Sequence, residues 1–335
     1  MMKSSRFRRR AGWTLVGLSL LLHLLTVYAY ARQPNGLAAF TVMPIWIWGG
    51  CGLFLSIVAF WFLRASLSLV ITGVWAMTIL LGADEARVIA NLKKRPPEPG
   101  SAGAVDGRPL LRVLTLNCNY FNYGGGDPDI DIRAWDPDIV LLQEVLPHQV
   151  KRVADRLYHG RGDYRCHQTN GIVTRWRIER EVRNPRHRDQ QVTVKKPDGG
   201  SIEVVNLHLE SAATDLRLWR PECWKNHAAN RIAREKELGA ALYILADTAA
   251  GAPAILGGDF NSPPGDPLQR LLKGNFEDAF TQAGTGWGNT YQRRIPAHRI
   301  DQVHATRHFR TIRCSAITTR RSDHRMVVAD LLQVP

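Results

Sequence analysis

Three apolar stretches without a formal charge follow one another in residues 12–30 (GWTLVGLSLLLHLLTVYAY), 38–63 and 66–83, and no other feature limits the fold as much. Each is close to the length that crosses the roughly 30 Å of a bilayer's hydrocarbon, for which a helix needs about 20 residues. A helix is the form expected there, because lipid cannot satisfy open backbone groups. A cleavable signal accounts poorly for the first run, which exceeds the usual apolar core of about 7–15 residues and is followed by more apolar sequence. Three such runs are also hard to bury inside a water-soluble protein of 335 residues. Trp46, Trp48 and Trp61 suit placement at a membrane–water boundary. Residues 1–83 are therefore expected to form a membrane region with three transmembrane helices, at about 12–30, 38–63 and 66–83.

Lys3, Arg6, Arg8, Arg9 and Arg10 precede the first run and place the N-terminus in the cytoplasm. An odd number of spans carries the rest of the chain across the membrane, although Lys93, Lys94 and Arg95 pull the other way. Residues 84–109, with PPEPGSAGAVDG inside them, have the composition of a linker. The remainder, 110–335, reads as a soluble domain. Of the formal net charge of +14, residues 1–100 hold 11 Lys/Arg against 3 Asp/Glu, and the rest 33 against 27. The soluble part is thus mildly basic, which favours anions in general. Cys51, Cys118, Cys166, Cys223 and Cys314 show no zinc spacing and leave open one or two disulfides or free thiols.

From residue 110 onward, short apolar runs alternate with polar loops. Strand-like runs at 110–116, 139–142, 171–176, 192–195, 202–207, 254–256, 299–305, 311–317 and 326–332 stand beside helix candidates at 130–135, 147–158 and 226–248. Many strands with few long helices indicate a mixed α/β domain. Polar chemistry recurs at strand ends, in LTLNCNY (114–120), PDIVLLQEV (137–145), VVNLHLES (204–211), AILGGDFNSPPGDP (254–267), RIDQV (299–303) and RSDHRMVV (321–328).

In that order, QE at 143–144, the strand-borne His208, GDFN at 258–261, RID at 299–301 and SDH at 322–324 resemble the endonuclease/exonuclease/phosphatase superfamily. NGIVTR at 170–175 has a likeness there too. The resemblance covers residues 110–332. It implies a four-layered α/β sandwich, two central, mainly antiparallel sheets flanked by helices, here preceded by the transmembrane helices. It also implies hydrolysis of phosphate esters with Mg²⁺, or Mn²⁺ in its place. Glu144 would be the central metal ligand, with Asn117 and Asp323 beside it. Asn119 stands where some members carry an acidic ligand. Asp259 would orient or deprotonate the attacking water, Asn261 would fix Asp259 or a phosphate oxygen, and His208 would bind a phosphate oxygen. His324, backed by Asp301, would face the phosphate as a cation.

Substrate is less determined, because a fold does not choose one. Residues 175–196 hold eight Lys/Arg against three acids, and 216–224 (LRLWRPECW) set two tryptophans among arginines. Such segments stack on bases, sit at lipid surfaces or are merely solvated. The layout of several N-terminal spans and an exterior catalytic domain is similar to the VanJ-like group of bacterial membrane proteins. That similarity implies a multi-pass protein of the bacterial inner membrane with its catalytic domain outside the cytoplasm. It implies a lipid-linked phosphate, such as polyprenyl pyrophosphate, as substrate. A membrane-tethered nuclease acting on nucleic acid is the alternative, and an inactive scaffold a minor one. The bilayer and a phosphate-bearing substrate are the partners expected, with no protein partner.

Overall fold

The uncharged runs of residues 12–83 are helical. Helix α1 spans Met2–Arg32, α2 Ala38–Thr41, α3 Ile45–Leu63 and α4 Ser66–Gly82. The run at 38–63 is two helices rather than one, because Pro44 lacks the N–H that a continuous helix would need. The computed structural model describes residues 2–334 except 125, 185–186, 213–214 and 295. It comprises two units, Met1–Arg87 with Asp215–Ala229, and Val88–Thr214 with Asn230–Pro335.

In the first unit, Val16, Ala59, Ile71 and Trp75 form a small apolar interior, and the outer surface is apolar as well. Ser19, Ser56 and Ser68 are buried, whereas Leu21, Phe54, Trp61 and Leu81 are 65%, 68%, 70% and 78% exposed. Ser19 Oγ donates to Gly52 O (3.1 Å) and accepts from Trp75 Nε1 (3.0 Å). Gly52 permits this approach, since a Cβ there would lie 1.9 Å from the Trp75 ring. Among the described residues, Arg6–Arg32 and Ile45–Leu63 are long and apolar enough to cross a membrane, and Ser66–Gly82 is shorter.

The second unit is built on strands. In chain order they are β1 (Ala104–Val105), β2 (Arg108–Pro109), β3 (Leu111–Asn117), β4 (Ile139–Gln143), β5 (Asp163–His167), β6 (Asn170–Thr174), β7 (Arg177–Arg183) and β8 (Gln190–Lys195). Then follow β9 (Ser201–His208), β10 (Ala254–Asp259), β11 (Phe276–Asp278), β12 (Gly284–Thr285), β13 (Asp301–Thr306), β14 (Phe309–Ile317) and β15 (Met326–Gln333). The first two pair as a hairpin within the segment expected to be a linker. A seven-stranded sheet runs β12-β14-β15-β3-β4-β6-β5, and a six-stranded sheet runs β11-β13-β10-β9-β8-β7. Most neighbours are antiparallel; β3–β4, β9–β10 and β12–β14 are parallel.

Helices and sheets stack as helix, sheet, sheet, helix. Val113, Leu141, Ile172, Val204, Ile255 and Val303 meet between the sheets. On the far face of the seven-stranded sheet, Leu114, Leu116, Val140 and Leu142 pack on α5 (Asp129–Arg133) and α6 (Pro147–Tyr158) through Ile132, Val150 and Val153. On the far face of the six-stranded sheet, Val205, Leu207 and Leu256 pack on Leu238, Ala241 and Leu245 of α7 (Pro221–Ala249). A central strand buried on both faces reads as a continuous apolar run, which is why β3, β4 and β9 are plain in the sequence. Arg112 interrupts β3 and is nevertheless buried. Its Nε donates to Asp330 Oδ1 at 2.6 Å, and its Nη1 reaches Glu98 O and Trp135 O, both at 2.8 Å. All five cysteines are free thiols.

Candidate active site

Strand pairing brings the site together. In the six-stranded sheet, Asp259 at the end of β10 stands opposite His208 of β9 and Asp301 of β13, so three adjacent strands set three functional groups in one row. In the other sheet, Asn117 at the end of β3 pairs with Gln143 at the end of β4, and Glu144 follows at once. Glu144 turns out of the strand with φ +51, which brings its C=O to accept from Tyr120 N–H at 2.8 Å.

The two sheets then meet through hydrogen bonds. Asn117 Nδ2 donates to Glu144 Oε1 (3.2 Å) and to Asp259 Oδ2 (3.1 Å), the second bond spanning 142 positions of sequence. Asn119 donates its backbone N–H to Asn117 Oδ1 (3.1 Å) and its Nδ2 to Asp323 Oδ1 (3.3 Å). His208 Nε2 lies 3.8 Å from Glu144 Oε1. Asn261 N–H donates to Asp259 Oδ1 (2.9 Å), and its side chain is spent on Leu209 O (3.0 Å). His324 Nδ1 donates to Asp301 Oδ2 (2.8 Å). All eight residues that the sequence nominates thus fall in one connected cluster.

Burial and charge set the protonation states. Burial pulls the His324 imidazolium down, but Asp301, by charge and hydrogen bond, and then Asp259 and Asp323 raise it to about 10. It is a cation at neutral pH. Burial lowers His208 to about 4, aided by Arg188 and His324 against the pull of Asp259, so this imidazole is neutral. Burial and then the Asp301 carboxylate push the Asp259 carboxyl above the usual range, although His324, His208 and the Asn117 hydrogen bond oppose the shift.

Four carboxylates therefore converge here with one cationic imidazolium, and none of the four is ion-paired to a described Lys or Arg. Asp301 Oδ1 is buried without a hydrogen-bond partner. Asp259, Asp301 and His324 offer ligand atoms within 4.8 Å of one another. That oxygen-rich, net-negative set suits a hard divalent cation.

Some contributors have no role assigned from the sequence. Buried Gln143 donates to Asn206 Oδ1 at 2.6 Å, and Asn206 Nδ2 donates to Leu142 O and Gly171 O, both at 2.9 Å, which locks the sheets together beneath the site. The signal was available, since Asn206 alternates with His208 on one strand face. Ser322 Oγ donates to Asn117 O (2.6 Å) and accepts from His324 N–H (3.0 Å), which fixes the SDH turn. Thr290 Oγ1 accepts from Asp301 N–H (3.1 Å). The Tyr291 ring lies 4.9 Å from the His324 ring, and burial and then Asp323 raise its phenol. Neither Thr290 nor Tyr291 sits in a motif that marks it. Arg175 is structural, held by Asp136 (2.5 Å) and Asp138 (3.1 Å).

The model of the Endonuclease/Exonuclease/phosphatase family matches residues 114–324, more than half of the chain. No curated protein matches. Among solved structures, an endonuclease/exonuclease/phosphatase from Bacteroides vulgatus is similar, with 19% identity, TM-score 0.54 and coverage of 67% of this chain and 99% of that one. D. rerio TDP2, solved with a single-stranded DNA product, has 15% identity, TM-score 0.52 and coverage of 66% and 98%. A mannosyl-6-phosphatase from Bacteroides thetaiotaomicron has 17% identity, TM-score 0.50 and coverage of 66% and 99%. At such identities the likeness is one of fold. The matched family model and the acidic, imidazole-bearing cluster together show that the chain belongs to the endonuclease/exonuclease/phosphatase family and is a metal-dependent hydrolase of phosphate ester or anhydride bonds.

Proposed function

We propose that residues 110–335 form a phosphodiesterase acting on nucleic acid, tethered by the helices of residues 1–83 to the bacterial inner membrane with the N-terminus in the cytoplasm. The observation that carries the chemistry is the Glu144–Asn117–Asp259 bridge between the sheets, with the His324–Asp301 pair beside it. A polyanionic substrate is favoured by arginines near the site: Arg188 lies close enough to lower the His208 imidazole, and Arg293 stands next to Asp323, its backbone N–H donating to Asp323 O at 2.7 Å. The DNA product bound by TDP2, a protein of similar fold, supports the same class.

Glu144, Asn117 and Asp323 would hold the divalent cation. His324 is a poor ligand, because a ligating imidazole must be neutral and this one is held protonated. A bound Mg²⁺ or Mn²⁺ would neutralise phosphate charge. Asp259, basic for a carboxylate and fixed by Asn117 and Asn261, takes a proton from water. The water oxygen bonds to phosphorus as the P–O bond on the opposite side breaks. Neutral His208 donates a hydrogen bond to a phosphate oxygen, and the His324 imidazolium, oriented by Asp301, stabilises the developing negative charge.

A lipid-linked phosphate such as polyprenyl pyrophosphate is the second reading. It is favoured by the exposed apolar side chains of the first unit, whose buried serines and outward leucines fit lipid rather than water. The test is a side-by-side assay of the full chain in one detergent with Mg²⁺, offering single-stranded DNA and polyprenyl pyrophosphate. DNA cleavage with little phosphate release supports the proposal. Phosphate release with intact DNA transfers the activity to the lipid reading.

A further inference from the structure

A recess of about 680 Å³ lies at the end of the seven-stranded sheet away from the active site, lined by Lys93, Lys94, Arg95, Arg310 and Arg313 and by no acidic residue. Its position follows from strand register. Arg310 and Thr311 pair with Leu332 and Leu331, and Leu331 pairs with Leu111 at the start of β3, whereas the site lies at Asn117. Six residues of strand separate the two, roughly 20 Å at about 3.3 Å per residue. The walls come from three parts of the unit. One is the turn after Asn91, closed by Lys94 N–H to Asn91 O at 2.8 Å and held by Asn91 Nδ2 to Thr281 O at 3.4 Å. The others are the β1–β2 hairpin, through Ala104 and Val105, and the first residues of β14.

Arg313 is already engaged, with Nε 2.8 Å from Asp330 Oδ2. Lys93, Lys94, Arg95 and Arg310 form no ion pair or side-chain hydrogen bond with a described residue, yet they share one recess. Like charges gathered without counter-charge repel, and the arrangement is relieved by a bound anion. A monoanionic carboxylate would leave most of that charge uncompensated; a phosphate group takes several donors at once, with arginine forks well matched to its oxygens. We infer that this recess is a second anion site, a receptor for a phosphate group carried by an anionic phospholipid headgroup or by a soluble phosphate compound. Lys93–Arg95 follow the last apolar helix by about ten residues, and basic residues just beyond a membrane segment attract anionic lipid. The headgroup source rests on the membrane reading of residues 1–83; the soluble source does not.

The test uses the full chain in phosphatidylcholine nanodiscs without divalent metal, where the acidic active site repels anions. One arm adds sodium pyrophosphate; the other replaces one-third of the lipid with phosphatidylglycerol. Binding is read as a rise in Tm, and wild type is compared with the double variant Lys94→Ala/Arg310→Ala. The expected result is a rise in wild type that the variant loses, with affinity falling about fivefold per removed cation and on the order of 25-fold in all. Hydrolysis of a soluble phosphodiester by the variant should stay at the wild-type rate. If phosphatidylglycerol abolishes the pyrophosphate response, the headgroup occupies the recess; a response to pyrophosphate in both lipids assigns it to a soluble phosphate. Equal Tm rises in wild type and variant, or no rise in either arm, overturn the inference. A failure of the lipid arm alone counts against the membrane source and leaves the anion site standing.

Discussion

Replacing Asp301 by Asn isolates the electrostatic part of the site. The side chains are nearly isosteric, and an amide oxygen can still accept the 2.8 Å hydrogen bond from His324 Nδ1. The charge is what disappears. Against burial, Asp301 is the chief support of a His324 imidazolium held at about 10; with it gone, only Asp259 and Asp323 still oppose burial, and the group falls toward its ordinary 6.5. At pH 8 a group titrating at about 10 is almost wholly protonated, whereas one titrating at about 6.5 is roughly 3% protonated, so activity at pH 8 should fall about 30-fold from protonation alone. The Asp259 carboxyl, raised by burial and then by Asp301, moves the other limb in the same direction. Wild-type activity needs Asp259 ionised and His324 protonated, which gives a bell with its alkaline limb near pH 10. In Asp301→Asn the whole bell should slide toward acid, with the alkaline limb moved from near pH 10 toward pH 6.5 and part of the rate recovered at pH 5–6. The assay is kcat/KM against pH on a soluble phosphodiester with saturating Mg²⁺. A uniform loss at every pH, with the alkaline limb unmoved, would refute the imidazolium role.

Two other substitutions test the scaffold. Arg112→Ala removes one of the two arginine partners of buried Asp330, leaving Arg313, and frees the carbonyls of Glu98, Gly100 and Trp135, a loss of about 3 kcal/mol of stability, to be read as a lower urea midpoint. Gly258→Ala places a Cβ 2.0 Å from Leu207 O at a φ of +135, a conformation open in practice only to glycine; it should unfold the domain or displace Asp259, and a variant with wild-type Tm and activity would show that β9 and β10 are less tightly joined than the register implies.

Much of the site was legible because strand ends advertise it. Glu144, His208, Asp259 and Asp301 each close or follow an apolar run or stand at a strand boundary, and Asn117 and the 322–324 turn do the same. The meeting of two sheets was not legible, since Asn117 reaches Asp259 only through a register that no local pattern encodes. Strand β7 was hidden for a different reason. In RIEREVR only Ile178 and Val182 are apolar, so an outer strand with a bulge after Ile178 reads as a basic loop. Strand β5, half-buried along its length, lacks alternation altogether. Pro44 was visible, yet the uncharged run around it masked the break in the helix.

The mechanism rests on Glu144 anchoring one divalent cation, with Asn117 and Asp323 beside it, at the rim of the seven-stranded sheet. Binding of Mn²⁺ to the full chain, followed by electron paramagnetic resonance in wild type and Glu144→Gln, tests it directly. Tight binding is expected in wild type, weakening by two or more orders of magnitude in the variant, with phosphodiester hydrolysis lost in parallel while Tm is kept. Undiminished Mn²⁺ affinity and turnover in Glu144→Gln would contradict it.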